Sequence, residues 1–397
     1  MKKLLTLFYC IALSMVANAN YTWQQLASIP SNGRLGAAGF SIGNKVYFGT
    51  GDYFSTTQYN DIWQYDPSSN TWSQMASLPG SSTRVSACAF SGNGFGYMGL
   101  GWNKFANATA LYDFYKYDPT INSWSPIAQY PGTNGFNAIS FVIGNMAYVG
   151  LGGNSSMYSY DPINNLWATI ANFPGSAIQS ASAFSVYGNG FVFGGWDGAS
   201  VINELWSYNP PINSWTQKTN CPLFSGSSTA FAINGYAFVG AGGTGIQGGQ
   251  VDFYQYFPII DAWSSAPSFP GLPLATFRAT VIGNTAYAFG GGDAGNNFYS
   301  NQLWKFENTS SIEDHSQLNI TIHYNAANNV LEIRCPSDLN GKLTFFALNG
   351  QKIMDESLLS ANTSITLSPY KLKPAIYLYT IIDKNNTVIV SSKIFID

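Results

Sequence analysis

The residue types that carry acid–base, nucleophilic or metal chemistry are scarce in this chain. It has two histidines, His315 and His323, and both fall in the last quarter of its 397 residues. The first 307 residues therefore hold no Ser-His-Asp triad and no histidine-based zinc or copper site. Glu204 is the one glutamate before Glu307. It sits in Asn203-Glu204-Leu205-Trp206, where an earlier stretch reads Asn60-Asp61-Ile62-Trp63, so repetition is sufficient reason for it. Asp66, Asp118 and Asp161 lie in turn sequences, where an Asx side chain caps the backbone. No catalytic residue, metal ligand or cofactor is assigned.

Cations and aromatic faces are the better candidates, and for binding. Arg34 and Arg84 each stand thirteen residues before a tyrosine, Tyr47 and Tyr97, and Arg278 stands nine before Tyr287. One reading has the three converge on an anionic group of a ligand, with Trp102 and Trp196 offering flat faces to a sugar or a peptide. Tyr53 lies in the same class of irregular loop. The other reading pairs each arginine with a carbonyl or carboxylate between neighbouring repeats.

Charge excludes one partner class. Charged residues make up 9% of the chain, its net charge is -3, and its 17 Lys and Arg are spread over the whole length. A polyanion-binding protein needs clustered cations to displace counterions, so nucleic acid is excluded. Glycine-rich segments such as Tyr47-Phe48-Gly49-Thr50-Gly51 lack the lysine and helix start of a phosphate loop. They read as close strand turns.

Positioning these residues falls to a repeat. Tyr65 precedes Trp72 by seven residues across Asp66-Pro67-Ser68-Ser69-Asn70-Thr71, and the interval returns at Tyr117 and Trp124, Tyr160 and Trp167, Tyr208 and Trp215, and Tyr256 and Trp263. Proline presets its backbone angle and Asx side chains bond the nearby backbone, so each copy is a hairpin. Tryptophans at 23, 72, 124, 167, 215 and 263 set a period of 43 to 52 residues, 48 on average. Four strands are expected in each period; in the first they fall at 35–42, 45–48, 61–65 and 71–76.

Apolar strands ending in glycines recur six times, from Tyr47-Phe48-Gly49 to the run between Tyr287 and Gly292. Aromatic strands recur six times, from Ile62-Trp63-Gln64-Tyr65 to Leu303-Trp304-Lys305-Phe306. Over residues 20–307 this pattern resembles the kelch-repeat family, which implies a six-bladed β-propeller. No tryptophan strand follows Phe306, whereas Tyr21-Thr22-Trp23-Gln24-Gln25-Leu26 stands unpartnered. That strand is expected to complete the last blade and close the ring. The loops leading into each first strand and out of each second strand then share one face, the irregular one, where binding residues usually lie. The resemblance places Arg34 and Arg84 at the mouth of the central channel. It also implies a contrast with the copper radical oxidases that share kelch blades, since those need histidine ligands.

The two ends of the chain read differently. Lys2 and Lys3, an apolar run over 4–16 and Ala17-Asn18-Ala19 are expected to form a signal peptide at 1–19, cleaved after Ala19. Cleavage leaves Cys88, Cys221 and Cys335, an odd number expected to be buried thiols rather than a disulfide framework. Residues 308–317 read as a polar linker and 318–397 as a small β-sandwich of short alternating strands. Leu348-Asn349-Gly350-Gln351-Lys352-Ile353, Ile376-Tyr377-Leu378-Tyr379 and Lys393-Ile394-Phe395-Ile396 resemble the C-terminal sorting domain of the type IX secretion system. The chain departs from that family at Asn325-Ala326, where Asn-Pro is usual, and at Pro374-Ala375, where a glycine usually precedes Ile-Tyr. The resemblance implies passage across a Gram-negative outer membrane, then release or attachment at the cell surface.

The sequence thus describes an all-β chain, a six-bladed propeller closed by its N-terminal strand and followed by a β-sandwich. No later segment has the apolar length of a membrane span. The expected role is that of a secreted or surface module binding a protein or a glycan. The competing class is an exported sugar-acting enzyme resembling the N-acetylneuraminate epimerases, bacterial six-bladed kelch proteins that need no metal. Against it, no acid and base pair is placed near the channel.

Overall fold

The computed structural model describes residues 21–309 apart from 55, 81–82, 106–108, 134, 244–248 and 294, together with 321–325, 330–334, 341–346, 352–358, 362–366, 372, 375–382 and 388–396. The signal sequence, residues 310–317 of the linker, His315, Cys335 and residues 348–351 of the sorting motif lie outside the described residues. Contacts divide the chain into two compact units, residues 22–307 and the remainder. Among the described residues the elements are strands, apart from one 3-10 turn at Pro210–Ile212.

Among the described residues the first unit holds six four-stranded sheets. The first joins Ala38–Ile42, Lys45–Gly49, Ile62–Asp66 and Thr71–Met75, and the second Cys88–Gly92, Phe95–Gly99, Phe114–Asp118 and Ser123–Pro126. The third joins Ile139–Ile143, Met146–Gly150, Met157–Asp161 and Leu166–Thr169, and the fourth Ser182–Val186, Asn189–Phe193, Leu205–Asn209 and Ser214–Lys218. Thr229–Ile233, Tyr236–Gly240, Phe253–Phe257 and Ala262–Ala266 make the fifth. In the sixth, Arg278–Ile282, Thr285–Phe289 and Leu303–Asn308 are joined by Tyr21–Gln25 from the other end of the chain, which lies beside Leu303–Asn308. The first strands of the six sheets are neighbours in a closed circular order.

Stacking explains the composition of each strand. A second strand is covered on both faces by the adjacent sheets, so after its first residue it is apolar, as in Val46, Tyr47 and Phe48 or Ala147, Tyr148 and Val149, all buried. A fourth strand lies at the outer edge and alternates instead, Thr71–Met75 reading exposed, half-buried, exposed, exposed, half-buried. The glycine after each second strand has a steric cause. Gly51 has φ +95°, and a Cβ there would come within 2.6 Å of the Leu35 carbonyl oxygen. Leu35 and Asp52 form an isolated bridge across that approach, which is why the first strand begins at Ala38 and not at 35.

The invariant interval between tyrosine and tryptophan is a clamp between sheets. Tyr117 lies opposite Trp124 in the hairpin register, and Asn122 between them has φ +49°. The Tyr117 hydroxyl donates to Asn122 Oδ1 at 2.8 Å, and the Ala76 N–H, from the neighbouring sheet, donates to the same oxygen at 2.9 Å. Trp124 Nε1 donates to the Ala76 carbonyl at 2.8 Å. One residue of the preceding repeat is thus held by both of its backbone polar groups. Asn70, Asn165, Asn213 and Asp261 do the same for Ala27, Ala128, Ala171 and Thr219. The turn carboxylates cap as expected, Asp118 accepting from the Thr120 N–H and Asp161 from the Ile163 N–H.

The second unit contains a three-stranded sheet, Thr321–Asn325, Val330–Arg334 and Asn362–Thr366, and a four-stranded sheet ordered Lys352–Leu358, Gly341–Phe346, Ala375–Ile382 and Val388–Ile396. Leu331, Ile333 and Ile365 of the first pack in one core with Leu343, Phe345, Met354, Leu358, Tyr377 and Ile381 of the second.

Candidate functional site

On the side of the irregular loops the first unit opens into a cavity of about 940 Å³. A ring of one residue per repeat lines it: Gly36, Ser86, Asn137, Ser180, Ser227 and Thr276, all with φ between 52° and 58°. A left-handed backbone at five non-glycine residues is costly and persists only where the surroundings impose it. Here the neighbours do so. The Ser86 N–H donates to the Gly36 carbonyl at 2.8 Å, Ser180 to Asn137 at 3.3 Å, Ser227 to Ser180 at 2.7 Å and Thr276 to Ser227 at 2.8 Å. Gly36 donates in turn to Thr276 Oγ1 at 3.1 Å, so the bonds run without a break from Asn137 through Ser180, Ser227, Thr276 and Gly36 to Ser86.

Above that ring the wall is aromatic. Trp102 and Trp196 both line the cavity, fixed by backbone bridges to Val85 and Gln179. The Trp102 ring meets Phe136 edge to face at 5.4 Å. Asp52 and Lys104 are the charged residues of the lining, and they form an ion pair with each other. Gln58 ties the loops of the first and second sheets, its amide donating to the Trp102 carbonyl at 3.1 Å and accepting from the Lys104 N–H at 2.9 Å. The loops expected to be irregular are thereby stiffened, in part by two-residue ribbons at Asp52–Tyr53 with Thr57–Gln58 and at Trp102–Asn103 with Thr109–Ala110.

The six residues singled out from sequence separate into three groups. Trp102 and Trp196 come together at the cavity. Tyr53 does not line it; its ring packs on Phe54 at 4.4 Å and on Tyr299 at 5.5 Å. Arg34 and Arg84 are fully buried and offer a ligand no surface. Arg34 pairs with Asp61, donates to the Thr50 carbonyl at 3.2 Å and to Ser31 Oγ at 2.7 Å, and lies 4.1 Å over the Tyr59 ring. Arg84 pairs with Asp113 through two bonds of 2.8 and 3.0 Å and donates to the Leu100 carbonyl at 3.0 Å. Burial pulls the Asp113 carboxyl upward, but the bonds and charge of Arg84 more than reverse this and leave it below the usual carboxylate range. Of the two readings, these two arginines follow the pairing with a carboxylate and a carbonyl rather than convergence on an anionic ligand, their Nη groups being already engaged although Arg84 Nε has no partner.

Arg278 stands apart from both, in a narrow channel lined by the first strands. Glu204 accepts from Trp206 Nε1 at 2.9 Å as Asp61 does from Trp63 at 2.8 Å, a repeated structural bond. Cys88 and Cys221 are buried free thiols, pushed up by burial to about 11 and about 12. Among the described residues no His, Cys, Asp and Glu cluster could hold a metal ion, and no helix is long and apolar enough to cross a membrane. Sequence reasoning missed Phe136 and Gln179. The signal available was positional, since Leu35 and Val85 directly follow the two arginines and Phe136 and Gln179 hold the equivalent places in the next repeats.

Three comparisons bear on this geometry. The kelch motif matches residues 33–79 and 181–222. The chain is 24% identical over 273 residues to Kelch-like protein 35 of Mus musculus, covering 68% of this chain and 37% of that protein, so it spans little more than a third of that relative. It is 26% identical over 270 residues to N-acetylneuraminate epimerase of Haemophilus influenzae (strain PittEE), covering 66% of this chain and 67% of that one. The solved structure of YjhT superposes with a TM-score of 0.60 at 17% identity, over 70% of this chain and 95% of that one, a likeness of fold. Repeated four-stranded sheets and the likeness to the YjhT structure give this chain a β-propeller fold, and two stretches of it match the kelch motif.

Proposed function

We propose that the chain is a six-bladed kelch propeller, closed by its N-terminal strand, that binds a protein or glycan ligand in the loop-face cavity against Trp102 and Trp196. The observation that carries this reading is the cavity of about 940 Å³, walled by two tryptophans and Phe136, whose two charged residues neutralise each other. Flat apolar faces beside backbone and serine hydrogen-bonding groups suit the ring of a sugar or a neutral peptide segment. The circular order of first strands supports six blades, and the common core of the two C-terminal sheets supports the sandwich.

The proposal extends to destination. The basic and apolar N-terminal run and the C-terminal resemblance support export through the type IX machinery to the surface or the medium. The binding test is the full chain on a glycan array that includes sialylated glycans and on a peptide array. Trp102→Ala with Trp196→Ala should lose the captured ligand; binding unaltered in that pair, or none on either array, overturns the site.

A second reading, a sugar-acting enzyme, is favoured by the curated relatives named N-acetylneuraminate epimerase. Faster mutarotation of free N-acetylneuraminate by the full chain would support it.

A further inference from the structure

We propose that the narrow channel beneath the loop-face cavity is a binding site for a small monovalent anion, a halide or a simple carboxylate, held by Arg278. The site is separate from the loop-face cavity and does not rest on the reading given for it. The channel encloses about 110 Å³ and is lined by Ala38, Ala87, Ala138, Ala181, Ala230 and Arg278, among other small residues. A water molecule occupies about 30 Å³ of liquid, so an anion of that size fits with a few waters.

The register shows what is unusual. Arg278 opens the first strand of its sheet, opposite Phe289, where the other five sheets have Ala38, Cys88, Ile139, Ser182 and Thr229. One long cation thus enters a channel otherwise made of small side chains. Its guanidinium has five donors, and one bond is formed, from Nη1 to the Ser228 carbonyl at 3.5 Å, the weak limit of such a contact. Among the described residues no carboxylate lines the channel, in contrast to Arg34 and Arg84, each of which has an aspartate.

Arg278 is half-buried, and a charge held partly out of bulk water is costly unless it is paired. Desolvation here lowers the Arg278 pKa, yet a guanidinium stays charged in proteins. The titratable group that acts on it is the Cys88 thiol, which burial keeps neutral. Ser182 and Ser228 bond to each other and Ser140 to the Ala89 carbonyl, so these three hydroxyls of the lining are committed. An anion in the channel, which Arg278 lines, would satisfy its charge and its remaining hydrogen-bond donors together.

The test uses the full chain. Crystals soaked in sodium bromide should show anomalous density beside the Arg278 guanidinium, and sodium acetate should compete it away if carboxylates share the site. In solution, ³⁵Cl line broadening by the protein should saturate, and Arg278→Met should weaken that binding about tenfold or more, the loss expected for a charged hydrogen bond. Density absent from the channel, or equal broadening by a folded Arg278→Met protein, overturns the proposal. If Arg278→Met does not fold, the bromide crystal of the unsubstituted protein decides alone.

Discussion

Trp23 donates its indole N–H to the carbonyl of Pro267 at 3.2 Å, across 244 residues of chain. In the other five sheets the residue that accepts this tryptophan bond also gives its N–H to an Asn or Asp of the clamp. Pro267 has no N–H to give, and the sheet that holds Trp23 has no turn to supply the Asn, because there the chain is interrupted. The two irregularities compensate each other. Trp23 also packs against Phe306, Phe253 and Phe269, with ring centroids at 4.7, 5.0 and 5.4 Å.

Trp23→Ala is expected to destabilise the first unit by about 3 kcal/mol, the low end for loss of a large aromatic that is only partly buried. Urea unfolding followed by tryptophan fluorescence measures it. A loss below about 0.5 kcal/mol, the range of ordinary surface substitutions, would show that the N-terminal strand is dispensable.

Asn122 combines a left-handed backbone with a two-fold acceptor oxygen. Asn122→Ala forfeits both and should cost about 2–4 kcal/mol, from the αL penalty and two hydrogen bonds. Asn122→Asp should cost less than about 1 kcal/mol, because Asp261 already accepts from Tyr256 and Thr219 in the fifth sheet. Equal losses for the two variants in thermal unfolding would refute the clamp.

Arg34→Met and Arg84→Met separate structure from binding. Each leaves a carboxylate unpaired, but Asp61 is 16% exposed and Asp113 38%. Arg34→Met should therefore cost more, about 3 kcal/mol for an abandoned buried charge, and Arg84→Met about 1–2 kcal/mol because water screens Asp113. The reverse order, measured by urea unfolding, would mean that burial of the partner does not govern the cost.

Acid sensitivity follows from depressed carboxyls. Hydrogen bonds from Lys45 and then Ser68 lower Asp66 to about 2. Burial raises Asp355, but Lys352, Thr344 and Lys342 outweigh it and leave it at about 2. A carboxyl depressed by folding contributes stability that is present above its unfolded pKa of about 3.9 and lost as pH falls through the folded value. The melting temperature should hold from neutral pH to about 5 and fall between about 4 and 2. Residues 22–307 contain no histidine, so this unit should show no step near pH 6.5. Scanning calorimetry across that range checks both statements.

How much the sequence disclosed depended on the range of each interaction. The hairpin was legible because Tyr117, Asn122 and Trp124 share one local turn; the partner Ala76 was not, being 48 residues from Trp124. The arginines were visible by type and spacing, but Asp61 and Asp113 lie 27 and 29 residues away, and only sheet stacking buries the pairs. Phe136 escaped notice because Gly135 stands before it where the first two repeats have Arg. In the second unit the strand Lys352–Leu358 is hard to read because Asp355 and Glu356 interrupt its apolar pattern, and Asp355 is accommodated by Lys342, Lys352 and Thr344.

The join between Tyr21–Gln25 and Leu303–Asn308 also sets a timetable. Its two strands stand some 280 residues apart in the chain. Contacts so distant in sequence are slow to nucleate, so refolding of the intact chain should end in a late phase in which the fluorescence of Trp23 changes after that of the other tryptophans.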